Sequence, residues 1–412
     1  MTKQASNHLA TDHWYGRRRT LRLLAGGALA AGLPGCGTPE RGPAVPINRA
    51  SEAKVLGIPN ERFFPAQGID PMEAEFVATM DRQLRARGLK SLAQLPKLDL
   101  LAVSGGGENG AFGAGLLCGW TEHGDRPTFD LVTGISTGAL TAPFAYLGSA
   151  YDPQLRAVYT ETPSTEILSQ RGFTAALFND AMADNAPLFR TISRYIDQRM
   201  LSAIAAAYDQ GRLLLIASTN LDAQIPVIWN IGAIAKSGHP RAADTISRIL
   251  LASAAIPGAF PPSMIDVTLD GKAYQEMHVD GGAFAQTFLY PSQLTRNRAE
   301  RRRTGQPIVE ARAYIIRNGR LDPEYAVVER QTLGIAGRAI STMIAASGFN
   351  DVVRIYNTTQ RDGIDYNLAF IGRDFNEVLP QPFDAKYMRD LYDYGYQRAR
   401  RGYDWSKRPP FV

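Results

Sequence analysis

A chain of 412 residues, 45% apolar and 21% charged, is long enough for one large domain or two, and its balance excludes a disordered or fibrous protein. Its net charge of +5 does not mark a nucleic-acid binder, because the excess sits in the first 35 residues, where Lys3, Arg17, Arg18, Arg19 and Arg22 face only Asp12. With two cysteines, Cys36 and Cys118, no disulfide framework is expected.

Residues 1–35 have the layout of a secretory signal. The basic run Arg17-Arg18-Arg19-Thr20-Leu21-Arg22 precedes an apolar segment, Leu23 to Leu33, and then Pro34-Gly35-Cys36. That apolar segment is too short to cross a bilayer, which takes about 20 residues. Leu33-Pro34-Gly35-Cys36 resembles a bacterial lipobox with Pro34 in place of the usual small residue. The arginine cluster resembles a twin-arginine export signal, departing from it at Gly16 and Thr20. These features predict export to the periplasmic or cell-envelope face and a lipid anchor on Cys36. The alternative is a basic N-terminus on a cytosolic protein.

Residues 36–50, with Pro39, Pro43 and Pro46, read as a tether. A helical segment is expected over 51–96, where Met72, Phe76, Met80 and Leu84 recur every four residues and predict a helix from Pro71 to about Arg87. The near-continuous apolar run Leu98–Ser104 predicts a strand buried on both faces of a parallel sheet. Gly110–His123 predicts a helix that Gly124 stops, with Cys118 as a small buried hydrophobe on it. Phe129–Ile135 predicts the next strand, and Ser136 opens another helix. Further strands are expected at Arg212–Ser218, Ile225–Trp229, Met277–Asp280 and Val309–Arg317. Helices are expected at Ile246–Ile256 and Ala385–Arg401. The alternation implies an α/β fold: a three-layer sandwich with a mainly parallel central sheet, plus a helical C-terminal extension over 321–412 packed on the core.

Two stretches of this chain bear chemistry. Gly134-Ile-Ser136-Thr-Gly138 places a serine between an apolar strand and a helix, the context of a nucleophile elbow. Gly105-x-Gly107-x-x-Gly110 has the spacing of a dinucleotide-binding loop, yet the following strand ends in Ser136 where that loop requires an acid for the ribose. No Lys-Ser/Thr pair follows the glycines, so a phosphate loop fails too. What is left is a set of backbone N–H groups able to receive an oxyanion, or a tight strand–helix turn with no ligand. For a base, His278 and Asp280 lie two apart in Met277-His-Val-Asp280-Gly-Gly282. Asp222 and Asp266 lack that Asp-Gly-Gly setting and are expected to be structural.

Gly105-Gly-Gly107-x-x-Gly110, Gly134-x-Ser136-x-Gly138 and Asp280-Gly-Gly282, in this order, resemble the patatin-like phospholipase family. Asn220-Leu-Asp222 and Ala252-Ser-Ala-Ala-Ile-Pro-Gly-Ala-Phe-Pro-Pro262 resemble it as well. The resemblance covers roughly 97–320, which it marks as the catalytic domain. It implies a Ser–Asp dyad with Ser136 as nucleophile, Asp280 as base, and Gly105, Gly106, Gly107 and Gly110 as the oxyanion loop. His278 stays open as a competing base. Asn109 stands where the family often has Arg or Lys. The implied activity is lipid acyl hydrolysis of the phospholipase A or esterase type through an acyl-enzyme, with no cofactor, no metal and no nucleic-acid partner. The expected partners are a phospholipid or other acyl-ester lipid and the membrane surface. A non-catalytic lipid-binding lipoprotein and a dinucleotide-binding oxidoreductase are the alternatives. The basic run Arg296–Arg303 suits either lipid headgroups or a solvated face, and Ile249–Phe260 suits either an acyl pocket or core.

Overall fold

A computed structural model describes residues 40–410 apart from 168, 171–180, 182 and 307. The signal segment and Cys36 lie outside the described residues. Nine strands form one mixed, mostly parallel sheet: β1 (Arg62–Phe63), β2 (Leu98–Val103), β3 (Leu131–Ile135), β4 (Leu213–Asn220), β5 (Ile225–Asn230), β6 (Ser263–Leu269), β7 (Lys272–Asp280), β8 (Ala311–Arg317) and β9 (Asp365–Phe370). The order is β1-β5-β4-β3-β2-β8-β9, with β7 joining β4 and β6 joining β7. The run from β4 to β9 is parallel. β2 and β3 are mostly apolar because both of their faces are covered; the exceptions are Asp99, which pairs with Arg312, and Thr133.

Six helices matter to the site or its surroundings: α1 (Asp70–Arg87), α2 (Gly110–His123), α3 (Thr137–Leu147), α4 (Ala242–Ser253), α5 (Thr332–Asp362) and α6 (Ala385–Arg400). One apolar layer holds Phe112, Leu116, Tyr146, Ile204 and Ile246. On the other face of the sheet lie Ala313, Ile315, Val352 and Leu368. The C-terminal region supplies more than helices: Asp365–Phe370 pairs in parallel with β8 as the edge strand of the main sheet.

Several elements differ from expectation in instructive ways. In α1 the buried line is Met72, Glu75, Thr79 and Gln83 rather than the apolar row every four residues. Those polar groups find partners: Glu75 pairs with Arg82, and the Gln83 amide donates to Asp130 and to the carbonyl of Gly211. β6 was not anticipated, although Ser263-Met-Ile-Asp-Val-Thr-Leu269 alternates buried and open positions along its length. Most of the glycines of α2 also serve packing. A Cβ at Gly115 would lie 2.0 Å from the carbonyl oxygen of Tyr392, and one at Gly119 would lie 2.2 Å from that of Tyr396. Hence α6 settles backbone to backbone onto α2, a closeness only glycine permits.

Candidate active site

The sheet register brings Ser136 and Asp280 together. β5 occupies one edge of β4. On the other edge, β3 runs parallel to β4 and stops with Ile135 opposite Ala217. β7 comes down the same edge antiparallel and stops with Asp280 opposite Ser218. Two strands therefore meet head to head beside adjacent residues of β4, and the residue after Ile135 must face the last residue of β7. Ser136 Oγ lies 2.5 Å from Asp280 Oδ2.

The turn that carries Ser136 is strained. Its φ of 56° and ψ of −128° lie where an L-residue pays about 1–3 kcal/mol. Its neighbours allow the turn because they have no side chain: a Cβ at Gly134 would sit 2.5 Å from Gly138 O, and one at Gly138 would sit 2.2 Å from Val103 O. The backbone is held from below as well. Ser136 N–H donates to Ser253 Oγ (3.0 Å), whose own hydroxyl donates to Ala217 O (2.7 Å). Sequence reasoning recognised the stretch around Ser253 only as a supporting resemblance. Its hydroxyl, at the end of α4, is a prop for the elbow.

Asp280 is enclosed. Its Oδ1 accepts from Gly282 N–H at 2.6 Å, and Oδ2 accepts from Ser136. Burial outweighs both bonds and pushes the carboxyl up to about 7. No cation pairs with it among the described residues.

The glycine loop passes over the serine, since a Cβ at Gly105 would lie 3.1 Å from Ser136 Cβ. Its amides are not equivalent. Gly105 N–H donates to Gln286 O (3.0 Å), and Gly110 N–H turns back onto Gly107 O and Glu108 O. Gly105 and Gly110, both expected as oxyanion donors, thus spend their N–H groups inside the protein. Gly110 also makes room for Thr137 Oγ1, which its Cβ would approach to 2.1 Å. Gly106 and Gly107 have no acceptor among the described residues. The path of Gly106 needs glycine, because a Cβ there would fall 2.1 Å from Asn318 O.

Behind this loop lies a side chain that the sequence did not single out. Arg317, at the end of β8 and only 4% exposed, donates from Nη1 to Gly105 O (3.2 Å) and to Ser104 Oγ (3.3 Å). Ser104 Oγ donates to the same carbonyl at 2.7 Å. Burial lowers the guanidinium to about 10, with Asp351 opposing the shift, so it stays protonated at neutral pH. Gly105 C=O and Gly106 N–H belong to one peptide group, so a cation on that carbonyl polarises that amide. Asn109, at the position expected to lack a charge, accepts from Tyr387 OH (2.8 Å) instead. Glu108 beside it is pushed upward by burial, toward its neutral form.

His278 is built into another network. Its ring nitrogens face Ser218 Oγ (2.9 Å) and Glu276 Oε2 (3.0 Å), and Glu276 pairs with buried Arg62. Neither nitrogen faces Ser136. Asp222 grips Arg41 through both oxygens and accepts from Met277 N–H; Asp266 accepts from Gln275. Within Ile249–Phe260, Ile249, Leu250 and Ala252 are core. No group of three or more His, Cys, Asp or Glu suited to a metal occurs among the described residues.

The fold and these contacts define an α/β protein with a serine on a strained strand–helix elbow, hydrogen-bonded to a buried carboxyl beneath a loop with free amides. Residues 101–290 match the model of the patatin-like phospholipase family, a match that supports lipid acyl hydrolysis in the broad sense. No curated protein matches the sequence. Among solved structures, VipD from Legionella pneumophila aligns at 12% identity over 74% of this chain and 66% of its own, with a TM-score of 0.37. Human GIVD cytosolic phospholipase A2 aligns at 11% identity over 80% of this chain and 54% of its own, with a TM-score of 0.30.

Proposed function

We propose that this chain is an exported serine lipid acyl hydrolase of the phospholipase A or esterase type, working through Ser136 and Asp280 and tethered to a membrane by lipid on Cys36. The observation that carries the reading is the 2.5 Å contact between Ser136 Oγ and Asp280 Oδ2 at the elbow. The hydroxyl proton passes to Asp280 as Oγ attacks the ester carbonyl, and the carbonyl oxygen takes up negative charge against Gly106 and Gly107 N–H. When the C–O bond breaks, Asp280 returns the proton to the departing alkoxide. Water then gives a proton to Asp280 as it attacks the acyl-enzyme, and Asp280 passes that proton to Ser136 Oγ as the fatty acid departs.

An ordinary aspartate, with a pKa of about 3.9, is a poor base toward a serine hydroxyl. Burial narrows the gap by raising Asp280 to about 7, close to the value a general base needs at neutral pH. Arg317 makes the Gly106 amide a better donor without entering the site. A fluorophosphonate probe tests the reading: it should modify Ser136 and no other residue, and it should leave the Ser136→Ala variant unlabelled. Labelling elsewhere, or none on active protein, would overturn it. Metabolic labelling with palmitate should follow Cys36 and disappear in Cys36→Ser.

A further inference from the structure

α5 is two helices in one. Its second half is core, with Val352, Ile355 and Thr359 buried. Its first half, at 332 and 334–347, stands open to solvent almost without interruption. At 1.5 Å per residue this arm is about 24 Å long. It carries one charged side chain, Arg338, whose guanidinium donates to Glu324 O. At about 100° per residue, Ile335, Ala336, Ala339, Ile340, Met343 and Ile344 fall on one half of the circumference, joined by Thr332 and Ser347 at the two ends of the arm. Gly334, Gly337, Arg338, Ser341 and Thr342 fall on the other. Met343 is 70% exposed, and just before the arm Tyr325 is 92% and Val327 83% exposed. A soluble surface rarely gathers such side chains without a partner.

The arm springs from the site. A Cβ at Gly348, where the arm ends, would lie 2.6 Å from Arg317 Nη2, the guanidinium that holds Gly105 O. One turn on, Asp351 accepts from Gln286 N–H and Thr287 N–H, in the segment that follows Asp280. Phe284, two residues before Gln286, is 59% exposed.

We infer that the arm over 332–347, with Tyr325, Val327 and Phe284, lies in the surface of a lipid bilayer and seats the mouth of the site on it. Resting on the proposed lipid acyl hydrolysis, the inference commits to lipid as the occupant for three reasons. The apolar half-circumference is wider than the seam one helix partner covers. The arm is too short to span a bilayer, and among the described residues no helix is long and apolar enough to do so. The apolar face is also continuous with the Arg317–Gly105 loop, at the mouth of a site proposed to act on lipid. Asp322, Glu324 and Glu329 just before the arm outnumber Arg330, so binding should be apolar and insensitive to salt.

The test uses the full chain carrying Cys36→Ser, so that no lipid anchor contributes, with phosphatidylcholine vesicles and a water-soluble short-chain ester. Adding Ile340→Asp and Met343→Asp together should lower partitioning onto vesicles and hydrolysis of vesicle lipid about tenfold or more. Turnover of the soluble ester and thermal stability should stay unchanged, both side chains being exposed. Equal partitioning of the two proteins would overturn the inference, as would loss of binding by the parent in high salt. A dimer broken by the substitutions, with partitioning intact, would make a second copy the occupant and overturn it too. If the parent binds vesicles but leaves the soluble ester uncut, the hydrolase reading falls and the docking surface stands.

Discussion

Replacing Asp280 by asparagine should destroy activity and stabilise the fold, and the size of the gain should depend on pH. Burial raises the folded carboxyl from 3.8 to about 7, a shift of roughly three units. A group with its folded pKa above its unfolded value holds a proton more firmly in the folded state. Its ionisation therefore subtracts nothing below about pH 4, costs progressively more between pH 4 and 7, and costs a constant amount above 7. At about 1.4 kcal/mol per unit, the plateau is about 4 kcal/mol. Asparagine is nearly the same size, can accept from Gly282 N–H as Asp280 does, and carries no charge to desolvate. Scanning calorimetry of both proteins from pH 4 to pH 8.5 checks this. With an unfolding entropy of about 2 cal/mol/K per residue, the variant should melt about 5 °C above the wild type at pH 8 and level with it near pH 4. A gap that is equal at both ends of the range, or of opposite sign, would refute the claim that burial holds the proton on Asp280.

Other measurements probe the same site from different sides. The rate of short-chain ester hydrolysis, kcat/KM, should rise with pH through about 7 as Asp280 ionises and flatten above it; an inflection near 4 would mean an ordinary solvated aspartate. Gly106→Ala forces a Cβ onto Asn318 O and should lower kcat about a hundredfold by moving the free amide, with KM little changed. Arg317→Met should lower kcat about tenfold at unchanged KM, and Arg317→Lys should recover part of the loss; equal KM defects in both would mark Arg317 as merely structural. His278→Gln should affect melting temperature more than turnover, because its contacts are Ser218 and Glu276 rather than Ser136.

How much of this was legible beforehand follows from what kind of force set each feature. The strands that approach the serine were readable because burial on both faces leaves a mostly apolar run, broken only by Asp99 in Leu98–Val103 and Thr133 in Leu131–Ile135. Ser136 and Asp280 were readable because a strained elbow and a strand end each demand glycines at set spacing. The division of labour among the loop glycines was not, since nothing in Gly-Gly-Gly says which amide is spent on Gln286 and which stays free. Arg317 was equally silent: an arginine closing an apolar strand looks like a solvated end until β8 is laid beside β2 and its guanidinium falls on Gly105 O.

That last pairing explains how the site can do without a basic residue at 109. Placing the cation within the loop would put it in solvent range, where a charge is screened and its attraction for an oxyanion shrinks. Behind the loop, Arg317 has no carboxylate within ion-pair distance among the described residues, and its Nε finds no acceptor. Asp351 offsets its charge only from beyond ion-pair distance, so in the proposed mechanism its field acts through the peptide from Gly105 to Gly106. Asp280 stands in the mirror situation, a buried acid with no cation. Both charges are held at a cost to folding, and in the proposed reaction each would meet an opposite charge as it forms: a proton on Asp280 and a negative oxygen on the Gly106 amide.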